Sequence, residues 1–376
     1  MWFNKKYNML KKILFLLLPI LCFSQNITLS DNAKVSILTC GTAPVSYAMY
    51  GHTGIRITDF VNQIDVVYNY GAFDFTTPNF MMKFVKGDLQ YFVTSDNYYD
   101  FEYNYKLDGR SIVEQELNVT SAQKQQLFNE LNNSLTSDER FYTYKFIDKN
   151  CTTMVVDKIN KILGSEVLKQ PKSEQSYRDI LYPYMSDFYM KLGIQIIFGT
   201  KVDEPATRLF LPLEFEKVLE TATLNGQKIA KPTKVLTEQT GTVPFSYVNS
   251  IYSLLAAIVI LILLNRKGIK ITYFIFAGLL GLFFSLVGLY SLHEEILWNY
   301  NILLFNPLLL VFAYFYWKNN TPKIILFGQI CIAFTLIYLA YIVNKVQLVI
   351  VLPIVALHLF WLIRIVMKVK KIKQSV

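Results

Sequence analysis

Two side chains in the middle of the chain have the chemistry of a nucleophile and its base. Between residues 25 and 246 the only cysteines are Cys40 and Cys151, and the only histidine is His52. Cys151 follows Asn150 at the predicted start of a helix. Unpaired backbone N–H groups and the helix dipole favour a thiolate there, and Asn150 is able to cap that end. A thiolate that attacks a carbonyl needs a base. His52 stands in a strand between Gly51 and Gly54, where backbone can approach a substrate closely. The bland readings are a satisfied histidine and an inert packed thiol. The pairing of Gly51-His52-Thr53-Gly54 with Asn150-Cys151-Thr152-Thr153 at a helix start turns the balance toward catalysis. A Cys40–Cys151 disulfide is the structural alternative for an exported domain. Zinc is disfavoured, because one histidine and two cysteines at spacings of 12 and 99 fit no ligand pattern. No metal or other cofactor is expected.

The elements that must position this pair are legible as alternation and capping. Val35 to Thr39, Gly51 to Thr58 and Val66 to Tyr70 read as strands, the last two joined by a polar turn near Asn62. Gln90 to Ser95, Ser111 to Val119 and Tyr142 to Phe146 are further β-rich pieces. Thr120 and Gln123 form a capping box for a helix whose apolar face is Leu127, Phe128, Leu131 and Leu135. The helix opened by Asn150 carries Val155, Ile159 and Ile162 as its stripe, and Gly164 closes it. Residues 173–220 read as helical and irregular.

The ends of the chain are of another kind. The 376 residues are 53% hydrophobic and only 17% charged, against about 25% charge in globular proteins. Residues 1–24 hold four basic groups and no acids, residues 25–246 hold 22 basic and 26 acidic groups, and residues 247–376 hold 11 basic and two acidic groups. The basic excess therefore lies on the apolar ends, which excludes a nucleic-acid binder; the high hydrophobicity excludes disorder. Residues 1–24 read as a signal peptide, with Lys11-Lys12, a nine-residue apolar stretch Ile13 to Leu21, and Cys22-Phe23-Ser24 before the cleavage point. An uncleaved anchor is the alternative. Residues 25–225 form the exported domain and 226–246, rich in Lys, Thr and Gly, a linker. Residues 247–376 hold five apolar runs, at about 247–264, 271–292, 300–317, 323–343 and 346–366, each long enough for a membrane helix. Ten basic residues, among them Arg266, Lys267, Lys318, Arg364 and Lys371, fall on one side of these runs; Lys345 lies on the other with Glu294 and Glu295. The positive-inside rule puts the ten in the cytoplasm and residues 25–246 outside it. His293 falls in a short outer loop, and His358 in the last run reads as a helix-packing residue.

The three motifs Gly51-His52-Thr53-Gly54-Ile55-Arg56, Tyr68-Asn69-Tyr70-Gly71-x-Phe73-Asp74-Phe75 and Asn150-Cys151-Thr152-Thr153 resemble the exported domain of the Lnb-type lipoprotein N-acyltransferases. The resemblance covers roughly residues 33–215, and the apolar tail fits it. It implies an α+β exported domain of a circularly permuted papain-like kind, similar to NlpC-type enzymes and lecithin:retinol acyltransferase, followed by an all-α transmembrane bundle of five helices. It also implies a thiol acyltransferase of the bacterial inner membrane. Such an enzyme takes a fatty acyl chain from a membrane phospholipid and gives it to the α-amine of a diacylglyceryl-cysteine lipoprotein. By motif position Cys151 is the nucleophile and His52 the base. The third group is open among Asn69, Tyr68 and Asp74, with Asn69 preferred because the hairpin returns it beside His52.

Arg56 shares a strand face with His52 and is a candidate for holding a phosphate, or else a plain ion pair. Phe80-Met81-Met82-x-Phe84-Val85 is an apolar cluster, read as a core segment or as an acyl-chain contact. Two other functions fit the same residues: a cell-wall peptidase or amidase using the Cys/His pair, and a non-enzymatic membrane sensor or scaffold with a Cys40–Cys151 disulfide.

Overall fold

The computed structural model describes residues 27–172, 174–241 and 244–374; the expected signal segment lies outside the described residues. Strands β1 (Lys34–Cys40), β2 (His52–Asp59) and β3 (Ile64–Ala72) form an antiparallel meander. Next come helix α1 (Phe80–Lys86), β4 (Gln90–Asn97), α2 (Tyr98–Leu107), β5 (Ile112–Glu116), α3 (Ser121–Thr136), β6 (Phe141–Thr143) and α4 (Cys151–Leu163). Then follow α5 (Tyr177–Leu181), α6 (Phe188–Ile197), α7 (Pro212–Thr221), the short hairpin β7 (Thr223–Leu224) and β8 (Gln227–Lys228), and β9 (Lys234–Thr237). The main sheet has seven strands in the order β6-β4-β3-β2-β1-β5-β9, with antiparallel pairing throughout.

Alternation decides what each face of the sheet meets. Val35, Ile37, Ile55, Ile57, Tyr68 and Tyr70 pack with Leu127, Phe128 and Leu131 of α3 and with Val155 and Ile159 of α4. Each fully buried aliphatic of this kind contributes about 1.5–3 kcal/mol, so α4 is held by its stripe and its N-terminus has a fixed place. The opposite face puts Leu38, Cys40, Val67 and Ile112 against Phe101 of α2. The stretch read as a linker is partly sheet: β9 pairs with β5. Its alternation sends Val235 to solvent and Leu236 toward the core, a four-residue edge signal that the surrounding Lys, Thr and Gly obscure.

The C-terminal region is helical: α8 (Ile251–Leu264), α9 (Lys267–Leu286), α10 (Leu308–Trp317), α11 (Thr321–Ile342) and α12 (Leu348–Gln374). Among the described residues four segments are long and apolar enough to cross a membrane, Lys267–Leu289, Glu294–Trp317, Thr321–Ile342 and Leu348–Gln374. The remaining run of the five expected forms a shorter apolar helix. The first apolar run makes a helix of 14 residues, about 21 Å at 1.5 Å per residue, against a hydrocarbon core of about 30 Å. It stops where Asn265 turns left-handed, at φ 40°. His358 is buried and hydrogen-bonds the Tyr273 hydroxyl at 3.2 Å, a packing contact between α9 and α12.

The two basic loops share one end of the bundle, where Lys267 Nζ donates to Trp317 O at 3.0 Å and to Asn319 Oδ1 at 2.8 Å. The other end carries the α+β domain. Lys145 pairs with Glu294 at 2.6 Å, Ile147 N donates to Glu295 Oε1 at 3.2 Å, and Asn299 Nδ2 donates to Ile196 O and Ile197 O at 2.9 Å.

Candidate functional site

Cys151 is the first residue of α4, and the turn before it explains its exposure to the helix dipole. Asn150 Oδ1 accepts from Thr152 N at 2.9 Å and Thr153 N at 3.0 Å, while Thr153 Oγ1 accepts from Asn150 N at 2.8 Å. Asn150 Nδ2 donates to Phe146 O and Phe210 O, which fixes the cap against the helical appendage. A cap of this kind contributes about 1 kcal/mol. Here its larger effect is to hold the sulfur at the positive end of a packed helix.

His52 opens β2, and the residues next to the pair join across it: the Thr53 and Thr152 hydroxyls lie 3.0 Å apart, which brings the imidazole beside the Cys151 thiol. His52 Nε2 meets Asn69 Oδ1 at 3.1 Å. Asn69 Nδ2 in turn donates to Asp96 Oδ2 at 2.9 Å. A carboxylate only accepts, so Asp96 sets the amide with its oxygen toward the ring. Nε2 then carries a proton, and Nδ1 is left as the nitrogen with a lone pair for the thiol. The row Asp96, Asn69, His52, Cys151 can accept a thiol proton and hold the imidazolium that results.

Space for this row comes from glycine. Asn69 faces Gly54 across the β2–β3 ladder, and its side chain leans over Gly54 to reach His52. A Cβ on Gly54 would stand 2.9 Å from Val67 Cγ1 and 3.3 Å from Asn69 Oδ1. Gly54→Ala is therefore expected to displace Asn69 and lower activity about tenfold while the domain stays folded. The checks are steady-state rates beside circular dichroism, and an unchanged rate would show that Asn69 needs no such clearance. Gly71 sits at a bulge between β3 and β4 with φ +95°. A Cβ there would lie 3.7 Å from Cys151 Cβ, so its absence keeps one approach to the sulfur open.

The electrostatics separate the two thiols. Burial alone would push the Cys151 thiol up. The charge and hydrogen bond of His52, the Thr53 backbone N–H and the Thr152 hydroxyl together reverse this, and the thiol sits below its ordinary value. Burial likewise opposes the charged form of His52, yet the adjacent Cys151 and the Asn69 hydrogen bond raise the imidazole above its ordinary value. For Cys40 burial outweighs Tyr105 and the Arg110 charge, which oppose it, and pushes the thiol up to about 12. Cys40 and Cys151 are both free thiols. The disulfide on which the scaffold reading depends is not formed.

Tyr68 points to the other face of the sheet and donates to Asn132 Oδ1 at 2.9 Å. Asp74 is exposed and bonded to Thr76. Of the three candidate third groups, Asn69 alone touches His52. Arg56 is spent elsewhere: Nε and Nη2 bond Asp65 at 2.8 and 2.9 Å, Nη1 bonds Glu114 at 3.3 Å, and the guanidinium lies 3.4 Å from the Tyr98 ring centroid. Its donors are occupied by carboxylates, so the phosphate role does not carry forward. Asp96 was missed in the sequence because it sits two strands from His52; only the β3–β4 register, which sets Asp96 opposite Val67, brings it to Asn69. Among the described residues no three His, Cys, Asp or Glu side chains gather as a metal-ligand set.

Residues 23–182 match the family described as the Lnb N-terminal periplasmic domain, and residues 237–375 match the Lnb transmembrane domain. The chain belongs to the Lnb-type family. No curated protein and no solved structure matches it. The two matches meet the two parts of the fold, a periplasmic α+β domain and a helical membrane domain, and identify a bacterial inner-membrane protein. In this Lnb-family chain the three motifs read from the sequence converge at one place: the Gly-His-Thr-Gly strand, the Asn69 strand and the capped Cys151 helix.

Proposed function

We propose that this protein is a lipoprotein N-acyltransferase working by a Cys151 thioester, on a permuted papain-like domain in which the histidine strand precedes the cysteine helix. His52 Nδ1 takes the thiol proton. The thiolate attacks the carbonyl carbon of a phospholipid ester, and the ester C–O bond breaks. The departing lysophospholipid oxygen receives the proton from His52. The α-amine of a diacylglyceryl-cysteine lipoprotein then attacks the thioester carbonyl. His52 takes a proton from that nitrogen, the C–S bond breaks, and the thiol is restored as the amide leaves. The backbone N–H of Cys151 at the helix start is the natural donor to the oxyanion. Asn69, set by Asp96, holds the ring.

The observation that carries this reading is the placing of His52, bonded to Asn69 at 3.1 Å, beside the capped helix start of Cys151 through the Thr53–Thr152 bond of 3.0 Å, in a domain fastened to a membrane bundle. A site for soluble cell-wall peptides would gain nothing from that fastening, whereas both substrates here are anchored in the bilayer, and tethering raises effective concentration. The basic end of the bundle, with the C-terminus, would face the cytoplasm. The test is intact-mass analysis of purified protein given phospholipid alone and then a synthetic diacyl lipopeptide. The expected result is one fatty acyl mass on Cys151, lost as the lipopeptide gains an amide-linked chain. Lipopeptide acylation with no acyl mass on Cys151, or no acylation at all, would overturn the reading.

A further inference from the structure

Helix α1 is an apolar element with one face left uncovered. Met81 and Met82 are 65% and 64% exposed, Phe84 and Val85 46% and 42%, and none of its seven residues is buried. Phe80 alone of this cluster packs against the core; the core-segment reading does not hold for Met81, Met82, Phe84 and Val85. A contiguous apolar face on a surface marks an interaction site, and its neighbours indicate the partner. The carbonyls of α1 are tied to the connection that follows α9. Tyr290 Oη donates to Met82 O at 3.3 Å, Ser291 Oγ to Val85 O at 3.1 Å, His293 Nε2 to Phe84 O at 2.8 Å and Leu292 N to Lys86 O at 2.6 Å. That connection begins where the span Lys267–Leu289 ends. It exposes Leu289 by 85% and Leu292 by 55%, so the α1 face continues the outer surface of the membrane domain.

A row of rings leads inward from this face. Centroids step 6.3 Å from Phe84 to Phe80, 5.9 Å to Phe73, 5.3 Å to Tyr91 and 4.5 Å to Tyr144. Phe75 flanks the row, 5.1 Å from Phe80. Tyr144 and Cys151 both pack against the same core cluster, which contains Tyr91. The row thus runs from the membrane end of α1 to the core cluster on which Cys151 also packs.

We infer that α1 rests in the outer face of the bilayer and that the Phe84-to-Tyr144 row is the track by which a phospholipid acyl chain reaches Cys151. This rests on the acyltransferase reading and names its donor site. Flexible Met side chains suit a mobile hydrocarbon surface, and an apolar face at the head-group boundary is the arrangement of an interfacial helix. The donor must deliver its ester carbonyl to sulfur, so its chain is the one that has to travel beside the rings.

The test uses full-length protein in vesicles of phosphatidylethanolamine and phosphatidylglycerol. Met81→Gln together with Met82→Gln is expected to slow Cys151 acylation by phospholipid, measured without lipopeptide, at least tenfold. Transfer from preformed acyl-enzyme to lipopeptide should stay within twofold, and so should the rate of Cys151 alkylation by iodoacetamide, which reports an intact site. An unchanged first step, or a defect confined to the second, overturns the inference. Wild-type protein that never gains an acyl mass instead refutes the acyltransferase reading. In a separate arm, Met82→Trp should add fluorescence that is quenched by phospholipids brominated on their acyl chains. Absence of quenching overturns the placement of α1.

Discussion

His52→Ala is expected to lower acyl transfer by about 10³-fold, the range for losing a base that also holds the counter-charge, and Cys151→Ala to abolish it. The sharper result is in the pH dependence of Cys151 alkylation. In the wild type the thiol lies below its ordinary value of 9.0, with burial opposing and His52 the largest favourable influence. Reactivity therefore persists below pH 9 and falls only as pH drops through that lowered value. Without His52 only Thr53 and Thr152 still oppose burial, and the alkylation profile should move to higher pH. His52 has the mirror behaviour. Its proton affinity is raised above 6.5 by Cys151 and Asn69, so the proton needed by the leaving alkoxide is held from low pH upward. It is lost as pH rises through that raised value. Acyl-enzyme formation should accordingly be bell-shaped, and Asn69→Ala should pull in the alkaline side by removing one support of the charged ring. The measurement is the second-order rate of iodoacetamide labelling from pH 5 to 10, read at Cys151 by mass spectrometry. Superimposable profiles for wild type and His52→Ala would refute the pairing.

What the sequence made legible was local. The capping box at Thr120 and Gln123, the Asn150 cap and the Gly164 stop all lie within four residues of the groups they serve, and each stands in the structure where its spacing puts it. Strand alternation was equally plain for β1, β2 and β3. What stayed hidden depends on register or on length in three dimensions. Asp96 reaches His52 only through Asn69 and only because β4 pairs with β3 in one alignment. Arg56 shares a face with His52, as alternation requires, but the strand beside it supplies Asp65 and β5 supplies Glu114, partners that no spacing rule points to. The Phe80 cluster is apolar enough for a core, and only its bonds to residues more than two hundred positions later show that its surroundings are the membrane end of the bundle. The short α8 was masked in the same way, since an apolar run continues through Tyr247 and Val248 although the helix itself begins at Ile251.

Arg178→Ala is expected to be the most destabilising single change outside the site, by about 3–5 kcal/mol, the cost of leaving a buried ion without its partner. The side chain is 1% exposed. Its Nε bonds Asp203 at 2.6 Å, Nη1 bonds Gln195 Oε1 at 2.7 Å and Gln195 O at 3.2 Å, and Nη2 bonds Phe198 O at 3.4 Å and Gly199 O at 3.2 Å. Asp203 also pairs with Lys345 at 3.3 Å, in the turn between α11 and α12. The guanidinium thus holds the appendage together and satisfies carbonyls that water does not reach, and Asp203, which it fixes, joins the appendage to the outer end of the bundle through Lys345. For a domain of this size 1 kcal/mol shifts the midpoint by about 2–4 °C, so thermal unfolding in detergent should move down by about 6–20 °C. The same rupture should loosen the α+β domain from the bilayer. Acylation of Cys151 by vesicle phospholipid would then fall at temperatures where iodoacetamide still labels the thiol at the wild-type rate. A midpoint within 2 °C of wild type for Arg178→Ala would show that the network carries no load between the two domains.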